Sequence, residues 1–247
     1  MLKDLKKHIL LTHEQSEWLA AQSRRTGSSE AEIIRRLVER ERLERSGNIK
    51  LGAALDAPGQ LYWNYKQELQ LQIIGTGSQT LAEQLIARMC LQNIETWIIS
   101  NNKPGKWDKA QRLAYNKQYI RFYTNPSTAM DDLQYVADHR MSDGFGELSK
   151  ESTQPPIMPI IDWVDGIDWS DSSLIALDQT NYITRKANIH PIWLTDDREH
   201  AFSASWVFTS TPSLELWKQL AGSFPLPEIN ERQAVKKDFN RLITFIV

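Results

Sequence analysis

The stretch TGSSEAEIIRR, residues 26–36, decides the fold predicted for the first part of the chain. Gly27 readily adopts the left-handed conformation that ends a helix. Ser29 and Glu32 have the spacing of a capping box, in which the serine hydroxyl accepts the Glu32 N–H and the glutamate carboxylate accepts the Ser29 N–H. Apolar residues at helical spacing follow directly. The stretch therefore predicts the end of one helix and the start of another.

The sequence around this stretch predicts a strand and two helices. Residues 5–11, LKKHILL, alternate as in a short strand, and helices are predicted over residues 13–25 and 29–45. These elements bury too little apolar surface for a stable domain, and a lone strand leaves both of its edges unpaired. Pairing of two chains through this strand would solve both problems.

This order of elements resembles the ribbon-helix-helix family of DNA-binding repressors over residues 1–46. The resemblance implies a dimer whose two-stranded ribbon enters the major groove, with outward strand side chains on the base edges. Those base-contacting residues are Lys6, His8 and Leu10. It also implies that N–H groups at the start of the second helix contact a DNA phosphate. Those phosphate-contacting residues are Ser28, Ser29 and Glu30.

The remainder of the chain predicts an α/β domain with a mixed sheet, so the fold class is α+β overall. The predicted domains are residues 1–47 and 63–247, joined by a linker over residues 48–62. Strands are predicted over residues 70–74, 94–100, 119–124, 157–163, 174–178, 182–186, 191–194 and 201–208. Helices are predicted over residues 81–89, 107–118, 127–139, 214–224 and 234–245. Strands that alternate with helices indicate a partly parallel sheet.

The order of these elements is similar to that of a single-half phospholipase-D-like domain. Active members of that family carry His-x-Lys-x(4)-Asp at a strand. One register places Asp171, Ser173 and Asp178 at the three motif positions, and a second places His190, Ile192 and Asp197 there. Neither register holds both the nucleophilic histidine and the lysine. The resemblance therefore implies a degenerate site, no catalytic residue and a protein that is not an enzyme.

Two other patterns have a chemical interpretation. The turn GTGSQT, residues 75–80, resembles the start of a dinucleotide fingerprint, but Thr80 replaces the third glycine and the chain has no Walker loop. A tight strand-to-helix turn explains it, and we predict no cofactor. Acidic residues at three-residue spacing allow a metal site, but an acidic turn explains them equally, and we predict no metal. They are Asp162, Asp165, Asp168 and Asp171.

Composition limits the function less than the motifs do. The net charge is −2, and the single cysteine, Cys90, excludes an internal disulfide. No apolar run is long enough for a membrane span, so we expect a cytoplasmic, nucleoid-associated protein without a membrane partner. The predicted function is a sequence-specific DNA-binding regulator, a repressor acting on double-stranded DNA as a homodimer or tetramer. Its C-terminal domain would be non-catalytic and would sense a small-molecule or protein effector, or mediate oligomerisation.

Two alternatives stay open at this point. The first is a DNA-targeted nuclease or phosphodiesterase of the phospholipase-D-like type. The second is an antitoxin-like or plasmid-maintenance protein whose large domain binds a partner protein.

Overall fold

The computed structural model describes residues 9–45, 47–56, 59–92, 94–100, 104–113, 119–142, 154–162, 186–196, 204–238 and 241–247. The chain divides into two compact units, Met1–Ser46 and Gly47–Val247. The helices are α1 His13–Thr26, α2 Glu30–Arg45, α3 Ser78–Leu91, α4 Asp108–Leu113, α5 Pro126–Ser142 and α6 Leu214–Ala221, with a short 3-10 helix at Pro104–Trp107. The strands are β1 Asn48–Ala54, β2 Gln60–Asn64, β3 Leu71–Ile74, β4 Glu95–Ile99, β5 Ile120–Tyr123, β6 Ile157–Asp162, β7 Ile192–Thr195, β8 Ser205–Phe208, β9 Gln233–Asp238 and β10 Arg241–Ile246.

The described part of the N-terminal unit consists of α1 and α2. A full capping box starts α1, because the Thr12 side chain accepts from the Gln15 N–H and the Gln15 side chain accepts from the Thr12 N–H. Gly27 ends α1 in the left-handed conformation, at φ 68°. Ser29 accepts the Glu32 N–H at 3.2 Å, as its spacing predicts.

The ribbon-helix-helix prediction for this unit was wrong. Residues 9–12 lie in no strand, and the Leu10 side chain is 98% exposed. Lys6 and His8, the other predicted base-contacting residues, lie outside the described residues. A short alternating run becomes a strand only where a second edge pairs with it, so alternation alone could not establish the ribbon.

The second unit is built on one ten-stranded mixed sheet. The order of its strands is β2-β1-β10-β9-β8-β3-β7-β6-β4-β5. The six strands from β8 to β5 pair in parallel, whereas the pairings from β2 to β8 are antiparallel. Both faces of the parallel half are covered, because α3 and α4 pack on one face and α5 and α6 on the other. Because both faces are buried, the sequences of parallel strands are nearly continuous runs of apolar residues.

Alternate residues of the central strands pack into separate hydrophobic cores on the two faces of the sheet. On β7, Ile192 and Leu194 join the core under α3, whereas Trp193 joins the core under α5. On β3, Ile73 joins the α3 side and Ile74 the α6 side. This alternation fixes the register of the sheet, since a slip of one residue would exchange the two cores.

Two segments differ from the elements predicted for them. Residues 48–62, for which a linker was expected, hold β1 and the start of β2, and Ile49 and Leu51 are fully buried there. Residues 234–245, predicted as a helix, instead form an antiparallel pair of strands, β9 and β10. β9 pairs with β8, and β10 pairs with β1, so both strands extend the large sheet. None of the helices in the described ranges is long and apolar enough to span a membrane.

Candidate functional site at the carboxyl edge of the sheet

The carboxyl ends of the central parallel strands meet at one edge of the sheet. Ile74, the last residue of β3, pairs with Thr195 of β7 and with Phe208 of β8. Asp162, the last residue of β6, pairs with Leu194, one residue from the end of β7. From β3 the chain continues through α3 to β4, which lies on one side of β3 in the sheet, whereas β8 lies on its other side. The strand connections therefore run in opposite directions from this point. Ligands of open α/β sheets bind at such a switch point.

A glycine turn connects β3 to α3 at this edge. Three residues, Gly75, Thr76 and Gly77, separate the two elements. The Gly75 N–H donates to the Thr195 carbonyl at 3.0 Å, and the Thr76 N–H donates to Ser210 Oγ at 3.3 Å. Gly77 is the N-cap of α3, and no side chain caps the helix. The helix therefore presents the positive end of its dipole at this edge of the sheet.

Gly75 is required by both its conformation and its surroundings. Its φ is +110°, and a Cβ there would overlap Ser210 Oγ and lie 2.9 Å from the Ser210 backbone nitrogen. We expect Gly75→Ala to lower the free energy of unfolding by about 3 kcal/mol, since backbone strain and overlap add. Urea unfolding followed by circular dichroism measures this loss.

Gly222 provides the matched control for this substitution. Its φ of +68° is also positive, but nothing lies within 4 Å of a Cβ placed there. Gly222→Ala should cost less than Gly75→Ala, because it adds conformational strain without overlap. Equal losses for the two variants would contradict the packing of the turn against Ser210.

A buried ion pair lies beside this turn. Lys106 Nζ is 3.0 Å from Asp162 Oδ2, and the two side chains are 23% and 2% exposed. Ser100, which follows β4, donates its hydroxyl to the same carboxylate oxygen at 3.3 Å. Burial of two charges costs free energy that their attraction barely repays, so such a pair is weak evidence of stabilisation. The pair is therefore a candidate functional feature of this edge.

Helix α3 is tied directly to the residue that carries the ammonium group. Gln79, in the first turn of α3, donates its side-chain amide to the Lys106 carbonyl at 3.0 Å and to Glu83 Oε1 at 3.2 Å. The neighbouring Trp107 is 1% exposed and packs in the core under α3. Lys106 is therefore anchored through its own carbonyl and through the buried residue that follows it. The site brings together a glycine turn, a helix N-terminus, an ammonium group and a carboxylate.

Of the residues predicted from sequence as functional, Asp162 is one that the described part of this site contains. Ser28 donates its N–H to Thr26 Oγ1, and Ser29 Oγ accepts from Glu32, so both groups are engaged at the start of α2. Glu30, the first residue of α2, is exposed. The contact of these residues with a DNA phosphate stays a prediction.

His190, the histidine candidate in the described part of this unit, lies before β7, at the amino ends of the parallel strands and away from the site. His190 is buried, with Nδ1 3.2 Å from the Leu69 carbonyl and Nε2 2.9 Å from Asn188 Oδ1. The other acidic candidates lie outside the described residues. They are Asp165, Asp168, Asp171, Asp178 and Asp197. Among the residues that the structure describes, no group of three or more His, Cys, Asp or Glu side chains could hold a metal ion.

Sequence reasoning missed Lys106, Gln79 and Ser100. Lys106 is 56 residues from Asp162, so no local motif links the two. The available signal was Asp162 itself, since an aspartate directly after the apolar run IMPII marks the end of a buried parallel strand.

Comparison with solved structures identifies the fold of the second unit. Thermomonospora curvata EccC (ATPases 2 and 3), a type VII secretion ATPase in complex with a signal sequence peptide, is 9% identical with a TM-score of 0.58, over 83% of this chain and 41% of that one. EssC (ATPases 2 and 3) from Geobacillus thermodenitrificans is 11% identical with a TM-score of 0.62, over 83% and 41%. The pCW3 conjugation coupling protein TcpA, in its monomer form with ATPgS, is 11% identical with a TM-score of 0.57, over 81% and 65%.

These neighbours share the fold with this chain, which spans less than two thirds of each of them. No family model matches the chain, and no curated protein matches its sequence. The fold is that of ATPase domains, a large mixed α/β sheet, and the predicted ribbon-helix-helix followed by a phospholipase-D-like domain was wrong.

The functional predictions that rested on those resemblances are corrected by the same neighbours. The neighbours are ATPases of secretion and conjugation, which contradicts the prediction of a DNA-binding repressor. The nuclease and antitoxin-like alternatives do not fit these neighbours either. They also contradict the prediction that the chain is not an enzyme. Their bound molecules are a signal peptide and a nucleotide analogue, which contradicts double-stranded DNA as the main partner of a homodimer or tetramer.

Proposed function

We propose that the second unit is an ATPase domain that binds a magnesium nucleoside triphosphate at the carboxyl edge of its sheet and hydrolyses it. The observation that carries the proposal is the buried Asp162–Lys106 ion pair beside the glycine turn that leads into α3. Support comes from the solved neighbours, which are ATPases of secretion and conjugation machinery. By analogy with them, the chain would act as one module of a larger transport assembly.

The glycine turn differs from the usual phosphate loop. In that loop a lysine follows the last glycine, and a serine or threonine follows the lysine. Here Ser78 follows Gly77, and Gln79 comes next. The N–H groups of Gly75 and Thr76 already have acceptors within the protein, so the turn alone cannot wrap a triphosphate.

The chemistry of the remaining groups nevertheless fits a magnesium nucleotide. The uncapped start of α3 suits an anion, since helix N-termini bind phosphate through backbone N–H groups and the dipole. Lys106 supplies the positive charge, and Asp162 supplies one carboxylate oxygen, with Ser100 as its hydrogen-bond donor. Mg²⁺ in such sites is commonly held through one or two carboxylates together with substrate phosphates. The site thus provides each type of group that the complex needs.

The residues of the site would divide the work of phosphoryl transfer, which is mainly positioning and electrostatic stabilisation. Asp162 would hold the magnesium ion, which would supply Lewis-acid stabilisation to the triphosphate when bound. Ser100 would keep the Asp162 carboxylate oriented through its hydrogen bond. The glycine turn packs against Thr209 and Ser210, and this contact would fix the start of α3 beside the phosphates.

Phosphate release from ATP by the full chain tests this proposal. We expect Mg²⁺-dependent release of inorganic phosphate, lost when the magnesium is chelated, together with calorimetrically detectable binding of Mg-ATP. If the chain neither binds nor hydrolyses ATP at millimolar Mg-ATP, the proposal is contradicted. Asp162→Asn, purified in the same way, is the control for a contaminating ATPase, because a contaminant would keep its activity.

A further inference from the structure

In the usual phosphate loop a lysine directly follows the last glycine, whereas the glycine turn of this chain contains no lysine. Ser78 directly follows Gly77, and its side chain is 4% exposed. A buried hydroxyl carries no charge and cannot neutralise a triphosphate. A nucleotide site at this edge therefore needs its cation from another element of the chain.

Lys106 is the cation that the fold brings to this place. It belongs to the short 3-10 helix after β4, an element that is remote in sequence from the turn between β3 and α3. Its ammonium group is 3.0 Å from Asp162 Oδ2, at the end of β6. At 23% exposure its side chain is reachable from solvent, whereas the carboxylate behind it is not.

Gln79 links Lys106 to the start of α3. The Gln79 amide donates to the Lys106 carbonyl at 3.0 Å, so the first turn of α3 holds the backbone of the segment that carries the lysine. In the usual motif the residue at the place of Gln79 is a serine or threonine whose hydroxyl contacts Mg²⁺. The longer glutamine side chain instead positions Lys106.

We propose that Lys106 is the phosphate-binding lysine of this chain, supplied from the segment after β4 instead of from the glycine turn, with Gln79 as its positioning residue. This inference rests on the proposed function. The ligand class is the triphosphate of a nucleotide. The ammonium group of Lys106 contacts the terminal phosphates, and the Asp162 carboxylate that it leaves is available to the divalent cation. Lysine binds phosphate as a compact point charge. The position of the ammonium group therefore matters more for binding than which helix or loop carries the lysine.

Chemical footprinting of the wild-type chain tests the inference without a substitution. Lysines are acetylated with and without Mg-ATP, and the extent at each is measured by mass spectrometry. Acetylation of Lys106 should fall about fivefold or more with Mg-ATP, since a bound phosphate covers its amine. Acetylation of Lys218, an exposed residue of α6, should not change. AMP, which lacks the terminal phosphates, should give no protection of Lys106.

Calorimetric titration of variants provides the second measurement. Lys106→Ala should weaken Mg-ATP binding about tenfold or more and AMP binding less than about twofold, and Gln79→Ala should weaken Mg-ATP binding by a smaller factor. Lys218→Ala is the matched control and should bind as the wild type does. Circular dichroism establishes that each variant is folded.

The outcomes separate the inference from the function on which it rests. If the wild type binds Mg-ATP while Lys106 is not protected and Lys106→Ala binds equally well, the inference is overturned and the proposed function stands. If the wild type binds no Mg-ATP at all, both are overturned.

Discussion

Asp162→Asn is expected to reduce Mg²⁺-dependent ATP hydrolysis by about 100-fold or more. Asparagine has nearly the same shape and keeps an oxygen that accepts the Ser100 hydroxyl, so the change removes the negative charge and little else. Loss of one electrostatic group at a phosphoryl-transfer site has effects of about this size. The rate of phosphate release at saturating Mg-ATP measures the effect.

The same substitution should have a modest effect on stability. Lys106 loses its carboxylate partner, but its side chain is partly exposed and can turn to solvent. We expect the free energy of unfolding to fall by about 1–2 kcal/mol, less than for a fully buried pair. Asp138→Asn, on the exposed face of α5, is the matched control and should leave hydrolysis unchanged. Hydrolysis by Asp162→Asn at the wild-type rate would exclude Asp162 from the reaction.

Trp193→Ala should destabilise the second unit by about 3–5 kcal/mol. Trp193 lies at the centre of the parallel sheet, is fully buried, and belongs to the core under α5. Its indole N–H also donates to Gln70 Oε1 at 2.8 Å. Removal of the ring leaves a cavity in a close-packed core and deletes this hydrogen bond, which accounts for the size of the loss. The midpoint of urea unfolding, followed by circular dichroism, measures it.

Leu91→Ala is the control for this core substitution. Leu91 ends α3 and is 70% exposed, so its truncation should change the free energy of unfolding by less than about 0.5 kcal/mol. A loss below about 1 kcal/mol for Trp193→Ala would contradict the position of β7 between β3 and β6.

Local signals in the sequence were sufficient for local structure. Gly27 ends α1 and Ser29 accepts the Glu32 N–H, because both features depend on a few neighbouring residues. The reciprocal half of that capping box differs, since Arg36 and Arg35 donate to the Glu32 carboxylate. These hydrogen bonds, those of Arg36 above all, lower the pKa of Glu32. Competition between a backbone N–H and two arginines cannot be decided from spacing alone.

The arrangement of the strands was beyond the reach of local patterns. The apolar run at β3 and the glycine turn after it were recognisable, but its neighbours, β7 and β8, come more than 100 residues later in the chain. The C-terminal hairpin is a similar case, because β9 is held by β8 and β10 by β1. A run with mixed helix and strand character takes the structure that its partners impose.

The candidate site illustrates the same limit. Asp162 could be singled out from the sequence as an acidic residue after a buried strand, but its partner Lys106 and the link through Gln79 arise only in the folded sheet. The glycine turn itself was recognisable, but Thr80 in place of a third glycine and the lack of a Walker loop gave no prediction of a nucleotide site.

The most direct test of the account is a crystal structure of the chain with Mn²⁺ and a non-hydrolysable ATP analogue, in which anomalous scattering locates the ion. The account predicts Mn²⁺ bound to the Asp162 carboxylate, with the triphosphate between the start of α3 and the Lys106 ammonium group. An analogue bound elsewhere, or an intact Lys106–Asp162 ion pair at saturating analogue, would contradict it.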